Sequence, residues 1–304
     1  MEHPDETVTI EGRRVEWPTW GVLAACYLGW GAACLWHQTL GPGFVPVAGY
    51  LITLHSSLQH EALHGHPTRS ARLNEALVFP ALGLFVPYRV FRRLHLKHHR
   101  DETLTDPHDD PESAYLARRD WEALGPPMRW ALEINRTLAG RLLIGPALSI
   151  WAGLVRDAAA IRRGDAFTRR AYRAHGAGIV LALGFAVGVA GVPVPLYLGA
   201  AYAGYALLML RTFAEHRAAE AVGERTAIVE AEGPLALAFL NNNLHAVHHA
   251  DPRAPWYELP ALYRRDRAAV LAGNGGYRIR SYRALVARHA FAAKERVVHP
   301  FLRR

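Results

Sequence analysis

The chain has 304 residues, of which 51% are hydrophobic and 20% charged, and 35 Lys and Arg against 27 Asp and Glu give a net charge of +8. That length bounds one large domain or two ordinary ones, and an apolar share this high beside so many charges must be gathered into segments. The two cysteines, Cys26 and Cys34, sit in one apolar run, roughly 12 Å apart along a helix, so a disulfide and a Cys-based zinc site are both excluded and core positions are expected. The positive charge suits an anionic membrane surface; no nucleic-acid partner is expected.

The first residues, "MEHPDETVTIEGRRVEW", are polar and acidic without an apolar stretch, which excludes a signal peptide reading. From Trp17 to His60 there is no Asp, Glu, Lys or Arg, and Gly41–Gly43 ("GPG") splits the run. From Ala174 to Leu210 these residues vanish again, with "GVPVP" (Gly191–Pro195) as the break and Arg173 and Arg211 as brackets. Each piece is close to the roughly 17–25 residues that a spanning helix needs, so four transmembrane helices in two hairpins are predicted. Both tight turns then lie on one side, and every Lys and Arg on the other, which the positive-inside tendency makes cytoplasmic. Ala76–Phe91 and Leu142–Val155 are too short to span and suit re-entrant or in-plane helices. Residues 264–304 read as a basic solvated face or a surface for anionic headgroups.

Three histidine groups stand out: His60-x3-His64, "HLKHH" with His95, His98 and His99, and "HAVHH" with His245, His248 and His249. On a helix, i/i+3 and i/i+4 pairs share a face, while the adjacent histidine of each doublet lies about 100° further round and can turn to a second ion. Eight imidazoles exceed what one metal takes, so two metals are expected. Redox-inert zinc needs only three protein ligands for hydrolysis; imidazole sites also suit iron and copper, and two redox-active ions suit dioxygen chemistry, with iron preferred. The carboxylate di-iron bundle with paired E-x-x-H helices is disfavoured, because only Glu61–His64 has that spacing. If the four spans hold, all three groups emerge at one cytoplasmic face.

H-x3-H, H-x2-H-H and H-x2-H-H in this order, with a membrane hairpin before the last, resemble the membrane fatty acid desaturase and hydroxylase superfamily over roughly residues 45–265. The resemblance implies an all-α integral membrane protein, with interfacial helices and a cytoplasmic helical cap around a di-iron site. It implies O2-dependent oxidation of a C–H bond in a lipid or fatty acyl chain, with two Fe ions as cofactors. A separate electron donor of ferredoxin, rubredoxin or cytochrome b5 type is implied too, since the chain has no H-P-G-G haem motif. Carried over by position, the ligands are His60, His64, His95, His98, His99, His245, His248 and His249. The family's further His or Asn ligand falls on His216 in "RTFAEHR", with Asn241 or Asn242 in "FLNNNLHAVHH" as substitutes or helix caps. The whole chain is taken as one domain, with a polar segment over 1–16 and a basic tail over 266–304.

Other residues have plainer readings. Glu61 is expected to orient a ligand imidazole, and His55 to be a packed, hydrogen-bonded neutral side chain. His66 and His108 are not expected to be ligands. Among the acids of "RDETLTDPHDDPES", Asp101 is the one expected behind a ligand, the rest forming a solvated loop. "DPRAPWYELP" (Asp251–Pro260) is read as wall and lid. Desaturation is preferred over hydroxylation or ketolation of a lipid, alkane or carotenoid. An H-E-x-x-H zinc protease of His60, Glu61 and His64 leaves six histidines unused and lacks an Asp-Gly ligand in 174–210. A metal transporter would spread ionisable residues along its spans instead of gathering them at one face.

Overall fold

The computed structural model describes residues 15–99 and 102–301. It is mostly helical, and its helices include α1 (Trp17–Leu35), α2 (Phe44–His64), α3 (Ala71–Leu77), α4 (Tyr88–His98), α5 (Leu138–Leu143), α6 (Gly145–Arg162), α7 (Ala166–Leu183), α8 (Val194–Glu215), α9 (His245–Ala250), α10 (Leu259–Gly273) and α11 (Tyr282–His289). Two short strands, β1 (Ile228–Val229) and β2 (Arg278–Ile279), pair in parallel.

The uncharged runs become long helices. The second breaks at residues 191–193 as expected, but the first bends at Trp36, ahead of the Gly-Pro-Gly expected to split it, which is a 3-10 turn. A π-helical turn, Gly184–Val189, extends α7, and Ala166–Val189 is long and apolar enough to cross a membrane. Trp17–Leu35 and His37–His64 pass the same test as a pair bent by 79°. Cys26 and Cys34 are free and fully buried, as expected.

α2 and α8 form the centre of the molecule because small residues let their backbones meet. A Cβ on Gly204 would stand 2.8 Å from the carbonyl oxygen of Gly49. Thr53, one turn along α2, donates to the carbonyls of Gly49 (2.9 Å) and Gly204 (2.8 Å), which satisfies its hydroxyl across the contact. Trp30, Phe44, Ile52, Leu82 and Tyr197 pack around this crossing. Both helices point their C-terminal ends at the same place, and the histidines sit there.

Two expectations need correction. Ala76–Phe91 is not one helix: it is the end of α3, an irregular stretch and the start of α4. Pro80 and Pro87 remove backbone donors, Leu84 takes a positive φ of 62°, and Val78, Leu82 and Leu84 are buried. Nor is the C-terminal region simply a solvated basic face. β2 pairs with β1, Tyr282 and Leu285 join a core with Leu138 and Phe239, and the Lys294 ammonium donates to the carbonyls of Phe213 (2.8 Å) and His216 (2.6 Å). Composition suggested solvent, but one half-buried lysine caps the end of α8.

Candidate metal centre

Each histidine is delivered by a helix end. His64 ends α2 and His60 lies one turn before it, and the helix stops at Gly65 in the left-handed region (φ 105°). His95 and His98 are in the last turn of α4, with His99 as its C-cap. His216 is the first residue beyond α8, where an antiparallel bridge to Thr226 holds it extended. His245, His248 and His249 lie on α9, which β1 positions: the Ala246 N–H donates to Ala227 O (3.0 Å), and the Asn243 side chain to Val229 O (2.8 Å).

The nine imidazoles form two groups, in each of which the ligand atoms lie within 4.8 Å of one another: His60, His64, His95, His99 and His248 in the first, and His98, His216, His245 and His249 in the second. Each doublet is therefore split between groups, as its 100° offset predicts. The rings of His99 and His249 stack at 4.2 Å and make the wall between them.

The donor atoms suit cations. His98 directs Nδ1 at Asp110 Oδ1 (2.8 Å), His216 at Arg225 O (3.3 Å) and His245 at Asn242 Oδ1 (3.0 Å). These oxygens only accept, so each Nδ1 carries the proton and each Nε2 a lone pair. Yet Nε2 of His216 stands 3.2 Å from that of His98 and 3.0 Å from that of His245. Between neutral rings there is no proton to share, so such contacts repel unless a cation lies between or, in the metal-free protein, His98 holds a second proton. In the first group Nε2 of His99 is 3.0 Å from that of His95 and 3.1 Å from that of His248, and the buried Nε2 of His64 has no hydrogen-bond partner. Donors at right angles around an ion with bonds of about 2.1 Å stand about 3.0 Å apart, against about 3.4 Å at tetrahedral angles. The observed spacings and five donors in one group fit an ion of higher coordination than structural zinc.

Behind the imidazoles stand acceptors that sequence reasoning largely missed. Glu112 accepts from His95 Nδ1 (3.0 Å) and Asp110 from His98. Both come from the acidic stretch expected to be solvated, whereas Asp101 lies outside the described residues. The stretch is folded around buried Asp110, which also accepts from the backbone N–H groups of Thr105 (2.8 Å) and Glu112 (2.9 Å). The available signal was the local Asx-turn chemistry of Asp-Pro-x-Asp-Asp-Pro. Burial would raise the Glu112 carboxyl, but His95 and its hydrogen bond hold it well below the usual range. Burial would lower His98, but Asp110 and Glu112 raise it, while burial and His95 push His99 down to about 3.

The remaining expectations divide. Glu215, from α8, lies 3.4 Å from His245 Nδ1 and pairs with Arg211 at 2.8 Å. Glu61 is 3.7 Å from His60 Nδ1, but its other oxygen accepts from the backbone N–H of Trp256 (3.1 Å), so it ties the 251–260 segment to α2 more than it orients the ring. Asn242 backs His245, whereas Asn241 turns away and donates to Trp256 O (3.1 Å). His55 is buried against the Tyr27 hydroxyl (3.1 Å). His66 pairs with Glu16 (2.7 Å), His108 is exposed, and neither joins a group.

A cavity of about 720 Å³ opens against both groups, touching His60 and His95 of the first and His216 and His245 of the second. Ile52, Val90, Phe91, Leu94 and Leu208 give it a long apolar wall, the kind of space that accepts a hydrocarbon.

No curated protein is similar enough to be matched to this chain. The fatty acid desaturase family pattern matches residues 38–281, which includes all nine histidines. With four-fifths of its length matched and a helical frame bringing those histidines into two metal-ready groups, the chain belongs to the fatty acid desaturase family, a membrane-associated family of oxidoreductases.

Proposed function

We propose that the protein is a di-iron, O2-dependent desaturase that inserts a double bond into a fatty acyl or lipid chain. The observation that carries this reading is the splitting of each histidine doublet between two groups facing one apolar cavity. Two iron ions, when bound, supply the oxidation of an unactivated C–H bond that no side chain performs alone. In the overall balance, two hydrogens leave adjacent carbons, and O2 takes them with two electrons and two protons to give two waters. The electrons come from a separate ferredoxin, rubredoxin or cytochrome b5 type protein.

The chain's own residues hold and aim. Asp110, Glu112 and Asn242 fix the tautomers of His98, His95 and His245, so the rings stand ready without reorganisation. Val90, Phe91 and Leu94 exclude water from the methylene to be oxidised. In the bilayer, α1, α2, α7 and α8 are the four spans, with the turns at 41–43 and 191–195 on one side. The histidines lie on the cytoplasmic side of a bacterial inner membrane.

Metal analysis and lipid mass spectrometry test this. Two irons per chain and a product lighter by two hydrogens are expected, with one iron and the O2-dependent activity lost in His98→Ala or in His248→Ala. A product heavier by one oxygen replaces desaturation by hydroxylation. Roughly one zinc per chain, with hydrolytic activity surviving His248→Ala, would sink the di-iron reading.

A further inference from the structure

Four arginines line the cavity: Arg136, Arg141, Arg156 and Arg211. Two are neutralised on the spot, Arg156 by Asp157 and Arg211 by Glu215, both at 2.8 Å. Arg136 and Arg141 differ. Neither takes part in the ion pairs of the described arginines, and the buried Nε of Arg141 has no hydrogen-bond partner. The Asn135 side-chain oxygen, on the same wall, is also buried and unpartnered.

Removing a cation from water is costly, and Arg136 and Arg141 sit half-buried side by side, each offset by a carboxylate outside ion-pair distance, Arg136 by Glu295 and Arg141 by Glu215. Burial, then the neighbouring Arg136, pushes Arg141 down to about 10. Arg136 is fixed rather than loose: its Nη2 donates to Ala114 O (2.8 Å), and its guanidinium lies 4.7 Å over the Tyr115 ring. Lys294 and Glu295 line the same cavity, and Glu295 interacts with both Lys294 and Arg136. The patch lies on the side of the second histidine group. Arg141 interacts with Glu215, which is 3.4 Å from His245, and Lys294 donates to the His216 carbonyl.

We infer that Arg136 and Arg141 form the head-group site of the cavity and that the substrate carries an oxyanion, a carboxylate or a phosphate, seated on them while its hydrocarbon chain runs along the apolar wall. The inference rests on the reading of the cavity as a lipid-chain site and adds to it the charge of the lipid. A planar guanidinium with a free Nε suits a two-oxygen contact, the geometry that carboxylates and phosphates share. A wholly neutral lipid, such as an alkane or carotenoid, would leave the buried Nε of Arg141 without a partner.

The test is equilibrium binding of dodecanoate, dodecyl phosphate and methyl dodecanoate to the iron-loaded full chain in nanodiscs of neutral lipid. At least one anion is expected to bind about ten- to hundredfold more tightly than the ester. Tighter dodecanoate identifies a free acid, and tighter dodecyl phosphate a phosphate-headed lipid. Arg141→Gln should erase the preference, Arg141→Lys should keep part of it, and Arg118→Gln, on the exposed surface, should leave it whole. If Arg141→Gln does not fold, Arg141→Lys carries the test, because losing the fork must still weaken anion binding several-fold. Equal binding of ester and anions, an undiminished preference in the folded Arg141 variants, or no binding of any probe overturns the site. Equal oxidation of ester and acid would remove the site but leave the desaturase reading. An Arg141-dependent preference without iron-dependent oxidation would do the reverse.

Discussion

"HLKHH" and "HAVHH" share one pattern yet are wired in opposite senses. In the first, the i/i+4 pair His95 and His99 goes to the five-histidine group and His98 to the other; in the second, His245 and His249 go to the four-histidine group and His248 crosses over. Their supports differ too. Glu112 and Asp110, full carboxylates, stand behind the first triplet, whereas a neutral amide, Asn242, stands behind the second, whose nearby Glu215 is shared with Arg211. One spacing therefore fixes which rings can reach an ion, while rotation about the helix axis decides which ion, and outer partners decide how strongly each ring donates.

The largest effects test the crossing. His98→Ala should abolish activity and remove the ion held with His216, His245 and His249, and His248→Ala should remove the other. Iron content and Mössbauer spectra of the two variants should therefore differ; identical residual spectra would break the opposite-sense assignment. The supports come next. Asp110→Asn and Glu112→Gln should each weaken iron binding about 10- to 100-fold, and Asn242→Ala less, by chelator competition. An equal cost at Asn242 would remove the distinction between charged and neutral backing. In the metal-free protein, Glu112 is ionised to lower pH folded than unfolded. Its contribution is present above the ordinary carboxylate range and fades as pH falls through that range towards the folded value. Melting curves of Glu112→Gln should accordingly fall less steeply on acidification than those of the wild type. The smallest effect belongs to Lys294→Met, which should cost about 2 kcal/mol of stability through two lost charged hydrogen bonds, read by thermal unfolding with iron bound and removed.

The metal-facing residues were legible because a ligand set needs particular side chains at helical spacing, and spacing is what a sequence displays. His60 and His64 at i/i+4, and the two split doublets, required no knowledge of the fold. His216 came from resemblance alone, since a single histidine after a helix has no period. The supports were illegible for a physical reason. Asp110 and Glu112 look like any acidic turn until the loop folds back on α4, and the burial of Asp110 follows from contacts distant in sequence. Pro80 and Pro87 announce a break in Ala76–Phe91, but not that the buried stretch between them is irregular where a re-entrant or in-plane helix was expected. Arg141 and Lys294 counted as positive charge for a surface, because nothing in composition separates a solvated cation from one facing a cavity.

The bond from Lys294 to the carbonyl of His216 spans 78 residues of chain. During translation the histidines of the two groups emerge interleaved, and the turn that presents His216 is not clamped until the lysine has left the ribosome. The centre is therefore completed late, and iron loading belongs after synthesis of that last segment. Released chains truncated before residue 294 should retain less iron than the full chain.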